Sequence, residues 1–277
     1  MNTTEFSLPG IDLYNLYQYL IIFFIASLRI SSFLISAPFF SSSGFPLQIR
    51  IVASISITAF LFPVVKVPDI QQLEGFKLFL LILSEIGIGL SVGLVLSILF
   101  SAAYVAGEKI ASTAGLSMST MVDPQSGGQT VVLSSVLSLF LISVFLSLDG
   151  HLYLIKMILE SYVYLPIGLT LNFAEVSQMG INTFGKMLYL AALISLPVVG
   201  GLLLIQGAIG VITRSAPSLN LFSFGFPIAL ISLFVFLYVG VGPISNAFSD
   251  ITGMSINLID NLLHSPTKKS FLNGRRR

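Results

Sequence analysis

The chain has 277 residues, of which 55% are hydrophobic and only 9% charged, with a formal net charge of +1. A water-soluble domain of this size carries about 25% charged residues, so there are too few charges here to solvate a globular surface. The mean hydropathy of +0.96 and apolar runs long enough to cross a hydrocarbon core point to an integral membrane protein. The absence of Cys excludes disulfides and thiolate metal sites, and the near-zero net charge argues against a nucleic-acid partner.

Residues 1–12 contain Glu5 and Asp12 but no Lys or Arg. They lack the basic start of a signal peptide, and the first apolar segment is expected to stay in the mature protein. Apolar segments follow at 16–40, 49–65, 76–106, 131–148, 187–212 and 224–248, with a weaker amphipathic stretch at 152–165. The third is long enough to cross with tilt or to extend beyond a bilayer. No large polar region interrupts the series, so a single helical domain is expected over 1–264. A tail over 265–277 carries Lys268, Lys269, Arg275, Arg276 and Arg277, which the positive-inside rule puts in the cytoplasm. The acidic N-terminus calls for the opposite side and an odd number of crossings. Six apolar segments are an even number, so either one falls short of crossing or the charge bias is too weak to set the orientation.

Small and helix-disturbing residues run through these segments, among them Ser97, Ser134, Pro197 and Gly201, and Gly89 to Gly93 spell a GxxxG. Small residues let helix backbones approach closely. Irregular backbone inside a membrane needs cover from protein or water. The pattern predicts an all-α fold of membrane-type hairpins whose broken helices are buried against partner helices.

No HExxH, GxSxG, P-loop or CxxC is present. No catalytic residue, metal ligand set or cofactor site is therefore assigned, and the chain is read as a non-enzyme. Arg29 and Glu85 lie inside apolar segments, and Glu108, Lys109, Asp123 and Asp149 lie near segment ends. Such residues are expensive in hydrocarbon unless paired or facing water. They would serve either an ion relay or an assembly that pairs them with neighbouring chains or faces them to a lumen. Broken segments do not recur in matching positions of two halves, which weakens the alternative of a stand-alone permease for a small solute.

The stretch 107–124 is too small and flexible for a good span and too apolar for a solvated linker. Gly107 and Gly115 loosen its backbone, and Asp123–Pro124 signals a turn. Met118 and Met121 are adaptable side chains. Two readings stand: a re-entrant connection packed inside the protein, or a deformable plug in a conduit. Further on, Asp149–Gly150–His151 reads as a tight turn, with Asp149 bonding local backbone and Gly150 taking the left-handed conformation. Arg214 is placed to cap a helix C-terminus or to meet a neighbour's carboxylate.

Taken in order, these residues resemble the FliR family, called SctT in virulence-type secretion systems. The resemblance runs through Arg29, Ala37-Pro38-Phe39-Phe40-Ser41, Phe45-Pro46, Arg50 and Pro63. It continues with Gly107-Glu108, Gly115-Leu116-Ser117, Asp123-Pro124 and Leu148-Asp149-Gly150-His151. Its most specific piece is Arg214, Ala216-Pro217-Ser218-Leu219-Asn220, Phe222 and Gly225-Phe226-Pro227. The family often has Gln where Ser218 stands and His or Trp where Leu152 stands.

The resemblance implies a subunit of a flagellar or type III export gate in the bacterial inner membrane, at the flagellar basal body. Members join FliP-like and FliQ-like subunits and an FlhB-like switch protein in a hetero-oligomeric helical core, much of it raised above the membrane plane. Through it unfolded protein substrates leave the cytoplasm. The family's plug matches 111–122, which makes Gly115, Leu116, Ser117, Met118 and Met121 the implied closing elements. Arg29, Pro38, Pro46 and Arg50 are expected to fix the first hairpin, and Arg214, Pro217, Asn220, Phe222, Gly225 and Pro227 the last.

Overall fold

A computed structural model of the chain describes residues 13–41, 45–64, 75–116, 132–168, 173–215 and 224–274. Every regular element among them is helical: α1 (Leu13–Ser36), α2 (Leu47–Leu61), a short 3-10 turn (Phe62–Val64), α3 (Gly75–Thr113), α4 (Val132–Ser147), α5 (Gly150–Tyr164), α6 (Phe173–Ser215) and α7 (Phe226–Gly274). The expected all-helical, membrane-type fold is what these residues adopt.

Among the described residues, four helices are long and apolar enough to cross a membrane, and five spans result if the pair α4–α5 counts as one. That pair is bent by 66° at its two-residue break. At 15 residues, α2 reaches only about 22 Å, short of a hydrocarbon core of about 30 Å. The second apolar segment therefore falls short, and so does α4 taken alone, with 16 residues. By contrast α3, α6 and α7, with 39, 43 and 49 residues, extend about 58, 64 and 73 Å. Each outruns a bilayer core.

Proline sets several boundaries. Pro38 follows the end of α1, Pro63 sits in the turn that closes α2, and Pro166 follows α5. Each lacks an N–H and disfavours helix at the residue before it. Pro46 opens α2 with φ −53° and ψ 147°.

The chain divides into two compact units. The first comprises residues 1–97, 153–179 and 258–277, and the second comprises 98–152 and 180–257. In the first, Ile22, Ala26, Phe33, Ile88, Val92 and Ile158 are buried. Here the GxxxG of α3 packs on α1. A Cβ at Gly89 would collide with the Arg29 carbonyl and Ser32, and one at Gly93 with Ser36. Ser97 Oγ donates across to the Ser36 carbonyl at 2.9 Å. In the second unit Leu99, Ala106, Leu141, Phe145, Ile194 and Phe248 are buried. Edge-on ring pairs join Phe100 to Phe145 at 5.2 Å and Phe140 to Phe248 at 5.4 Å.

Two local expectations are corrected. The stretch from Gly107 does not open a loop: α3 continues to Thr113, because Ile110 and Ala111 are fully buried. Gly107 serves close packing instead, since a Cβ there would stand 2.5 Å from Ser134 Cα of α4. At the α4–α5 break the left-handed residue is Asp149, with φ 55°. Gly150 is already helical, and its missing Cβ makes room for the Phe145 ring.

Candidate functional site

Two arrangements, one in each unit, carry the polar chemistry. The first centres on Arg29 of α1, which with Glu85 of α3 and Ser161 of α5 is fully buried. Arg29 Nε donates to Glu85 Oε2 at 2.7 Å and Nη2 to Oε1 at 3.0 Å, a two-point guanidinium–carboxylate fork. Nη1 donates to Ser161 Oγ at 3.0 Å, and Nη2 also to the Leu165 carbonyl at 3.0 Å. The ring of Tyr162 lies 4.2 Å from the guanidinium carbon, within cation–π range. Its hydroxyl donates to the Ala26 carbonyl at 2.6 Å.

This geometry follows from where helices end. The last carbonyls of a helix have no intrahelical partner, and Pro166 stops α5 just after Leu165. Arg29 satisfies the Leu165 carbonyl and brings a positive charge to the negative end of the α5 dipole. One side chain thus ties α1 to α3 and caps α5. Arg29, expected with Arg50 in the first hairpin, reaches α3 and α5 rather than α2. Arg50 itself holds the turn before α2, donating from Nε to the Phe45 carbonyl at 3.0 Å. Pro38 is half-buried in the turn after α1, where Phe33, Phe39, Phe40 and Phe45 make edge-on and tilted ring contacts.

The pairing of Arg29 with Glu85 was not foreseen, nor were the roles of Ser161 and Tyr162. The available signal was that two opposite charges lay inside apolar segments of a chain with little charge, and such groups are seldom left alone. Paired charges are also what a small-solute permease would use, but these two are sealed from solvent.

The second arrangement is the end of α3. Gly115 has φ +85°, its N–H donates to the Ser112 carbonyl at 3.1 Å, and the Leu116 N–H donates to the Ala111 carbonyl at 3.0 Å. These two bonds define a Schellman motif with Gly115 at the left-handed position. The Thr113 carbonyl, otherwise an orphan of the last turn, accepts from Gln206 Nε2 of α6. Phe226, the first residue of α7, lies so that a Cβ on Gly115 would be 3.5 Å from its ring. Residues of α3, α6 and α7 therefore converge on the stem from which the expected plug segment departs. Gln206 was not singled out by sequence, and Phe226 only as part of Gly225-Phe226-Pro227; a single Gln within the apolar run 187–212 was the missed signal.

Of the expected plug residues, Gly115 and Leu116 belong to this cap, whereas Ser117, Met118 and Met121 lie outside the described residues. So do Asp123, Pro124, Pro217, Asn220 and Phe222. Glu108 is exposed on the last turns of α3. The Asp149 N–H donates to the Leu146 carbonyl at 3.1 Å and its carbonyl accepts from Leu152 at 3.0 Å, bridging α4 and α5. His151 is half-buried in the first turn of α5. Arg214 is exposed in the last turn of α6, where a cation suits the helix dipole. Gly225 is buried beside the start of α7, and Pro227 lies in its first turn, a position that needs no N–H.

Residues 20–254 match the family described as Bacterial export proteins, family 1. A flagellar biosynthetic protein FliR from Escherichia coli (strain K12) is 30% identical over 253 residues, covering 88% of this chain and 95% of the relative. A protein of the same name from Bacillus subtilis (strain 168) is 27% identical over 244 residues, covering 87% and 94%. Yop proteins translocation protein T of Yersinia pestis is 31% identical over 189 residues, covering 66% and 72%.

Proposed function

The chain belongs to the bacterial export protein family that contains FliR, and from that premise we propose that it is the FliR-type subunit of a closed protein-export gate. It is a component of a flagellar or type III export apparatus of the inner membrane. In the finer reading it joins FliP-like and FliQ-like subunits and an FlhB-like switch protein around a conduit for unfolded proteins. Residues 1–264 act as one helical gate domain and 265–277 as a basic cytoplasmic tail. The observation that carries this reading is the family match across residues 20–254. The lengths of α3, α6 and α7 support placing part of the core above the membrane plane, since each exceeds a bilayer core.

The plug is assigned to the segment that follows the α3 cap. A gate must block ions yet yield to an extended chain, and a closed state favoured by only a few kcal/mol does both. A Schellman cap held by Gln206 and Phe226 would supply the fixed point from which such a segment swings. Deleting residues 117–122 removes the segment and leaves the described cap whole. The expected result is increased ion conductance across the inner membrane with the assembly intact. Unchanged conductance in an intact assembly would exclude the plug.

The subunit role is tested by the native mass of the chain co-expressed with FliP-like and FliQ-like proteins. A discrete hetero-oligomer with one copy of this chain is expected. A monomer or homodimer that ignores both partners would overturn the gate and make solute uptake the next measurement.

A further inference from the structure

Glu108 and Lys109 stand outside both arrangements. They are exposed on α3, and no ion pair engages either among the described residues. Both line a groove of about 480 Å³ between α3 and α6. The two helices run the same way here, because the groove opposes residues 105–112 to residues 188–199 and Thr113 then meets Gln206.

That alignment sets the depth of the charges. Ala192 and Ser195, which share the groove with them, lie five and eight residues past Met187, where the apolar run of α6 opens. This is about 8 to 12 Å along the helix axis. Glu108 and Lys109 therefore sit beside the interior of an apolar segment rather than at its edge. Facing hydrocarbon, each would be strongly disfavoured. Ala191, Ala192 and Ser195 line the groove beside the larger Leu188, Leu196 and Val199, and their small side chains admit another backbone closely.

We propose that this groove is the seat of a helix from another protein of the export apparatus, one that presents a small-residue face with a basic side chain against Glu108 and an acidic one against Lys109. The inference rests on the hetero-oligomeric reading above and adds to it a site and the chemistry of its occupant. Two adjacent charges of opposite sign specify register as well as contact, because a helix reversed end for end would oppose like charges and one shifted by a turn would leave both charges unmatched. A lipid tail answers the apolar lining but leaves both charges unmatched.

The chain has no Cys, so an Ala192→Cys variant carries a single thiol in the groove. Its labelling rate with a charged, membrane-impermeant maleimide is measured in the purified full chain alone and in the complex formed with FliP-like and FliQ-like proteins. Native mass is recorded for both samples. The expected result is ready labelling of the chain alone and at least tenfold slower labelling in the complex. Adding the exchange E108K/K109E, which keeps the net charge, should abolish that protection.

Equal, fast labelling in an intact complex would mean a water-facing groove and would overturn the inference while leaving the gate reading in place. Slow labelling in both samples would mean a hydrocarbon-facing groove, with the same consequence. Protection of the chain alone in a homo-oligomer would assign the groove to a second copy and refute a heterologous occupant. Protection that survives the charge exchange would refute the charge match. Failure of any hetero-oligomer to form would bring down the gate reading and this inference together.

Discussion

Replacing Glu85 with Ala is the most informative perturbation of the fold, because it leaves the Arg29 charge buried without its carboxylate. The fork supplies two contacts, at 2.7 and 3.0 Å, between side chains that are fully buried. Breaking a buried ion pair from one side costs about 3–5 kcal/mol, mostly through the stranded charge. At roughly 2–4 °C per kcal/mol for a chain of this size, the melting temperature should fall by on the order of 10 °C. The double variant Arg29→Met/Glu85→Leu removes both charges. It still orphans the Leu165 carbonyl, which accepts from Arg29 Nη2, at about 1–3 kcal/mol. The double variant should therefore be more stable than Glu85→Ala alone.

The chain has no Trp, so unfolding is followed by circular dichroism at 222 nm on the detergent-purified protein. If the two single losses, from Arg29→Met and Glu85→Leu, add up to the loss of the double variant, the pair is not coupled and the reasoning fails. A drop below about 1 kcal/mol for Glu85→Ala would refute it equally.

Other expectations follow from single sites. Arg29→Lys keeps the charge but cannot reach Glu85, Ser161 and Leu165 together, so it should melt lower than the parent and above Glu85→Ala. Gly115→Val forces a β-branched residue to φ +85°; it should destabilise the α3 end by about 1–3 kcal/mol, read as faster amide hydrogen exchange at Ala114 to Leu116. Gly107→Leu should prevent the α3–α4 approach at Ser134, lowering the melting temperature far more than Gly185→Leu, where nothing lies within 4 Å. Asp149→Gly should be neutral or stabilising by up to about 1 kcal/mol, since φ 55° suits Gly best, whereas Asp149→Val should destabilise; the same melts check both.

Hydropathy alone located the cores of the long apolar helices, although the segments 16–40 and 49–65 ran past Pro38 and Pro63, near which α1 and α2 stop. These features are legible because they depend on near neighbours: an apolar residue prefers burial, and proline denies an N–H to its own turn. Gly89 and Gly93 were likewise readable as a close-packing face. The limits of local reading appear at Gly107 to Thr113. Gly, Glu, Lys, Ser and Thr there read as a connection, yet packing on α4 and burial of Ile110 and Ala111 keep the stretch helical. At the α4–α5 break, glycine was the natural choice for the left-handed residue. The Phe145 ring occupies the space a Cβ on Gly150 would need, so Gly150 is required for room and Asp149 carries the turn.

Sequence by itself determined that this chain is helical, membrane-type and a member of an export family, because composition, period and ordered motifs are carried residue by residue. Only the tertiary structure decided which charges meet. Arg29 finds Glu85 56 positions away and the Leu165 carbonyl 136 positions away, and Gln206 finds Thr113 across 93. No local pattern encodes such separations. A buried charge states in the sequence that it needs a partner, and the fold supplies which one.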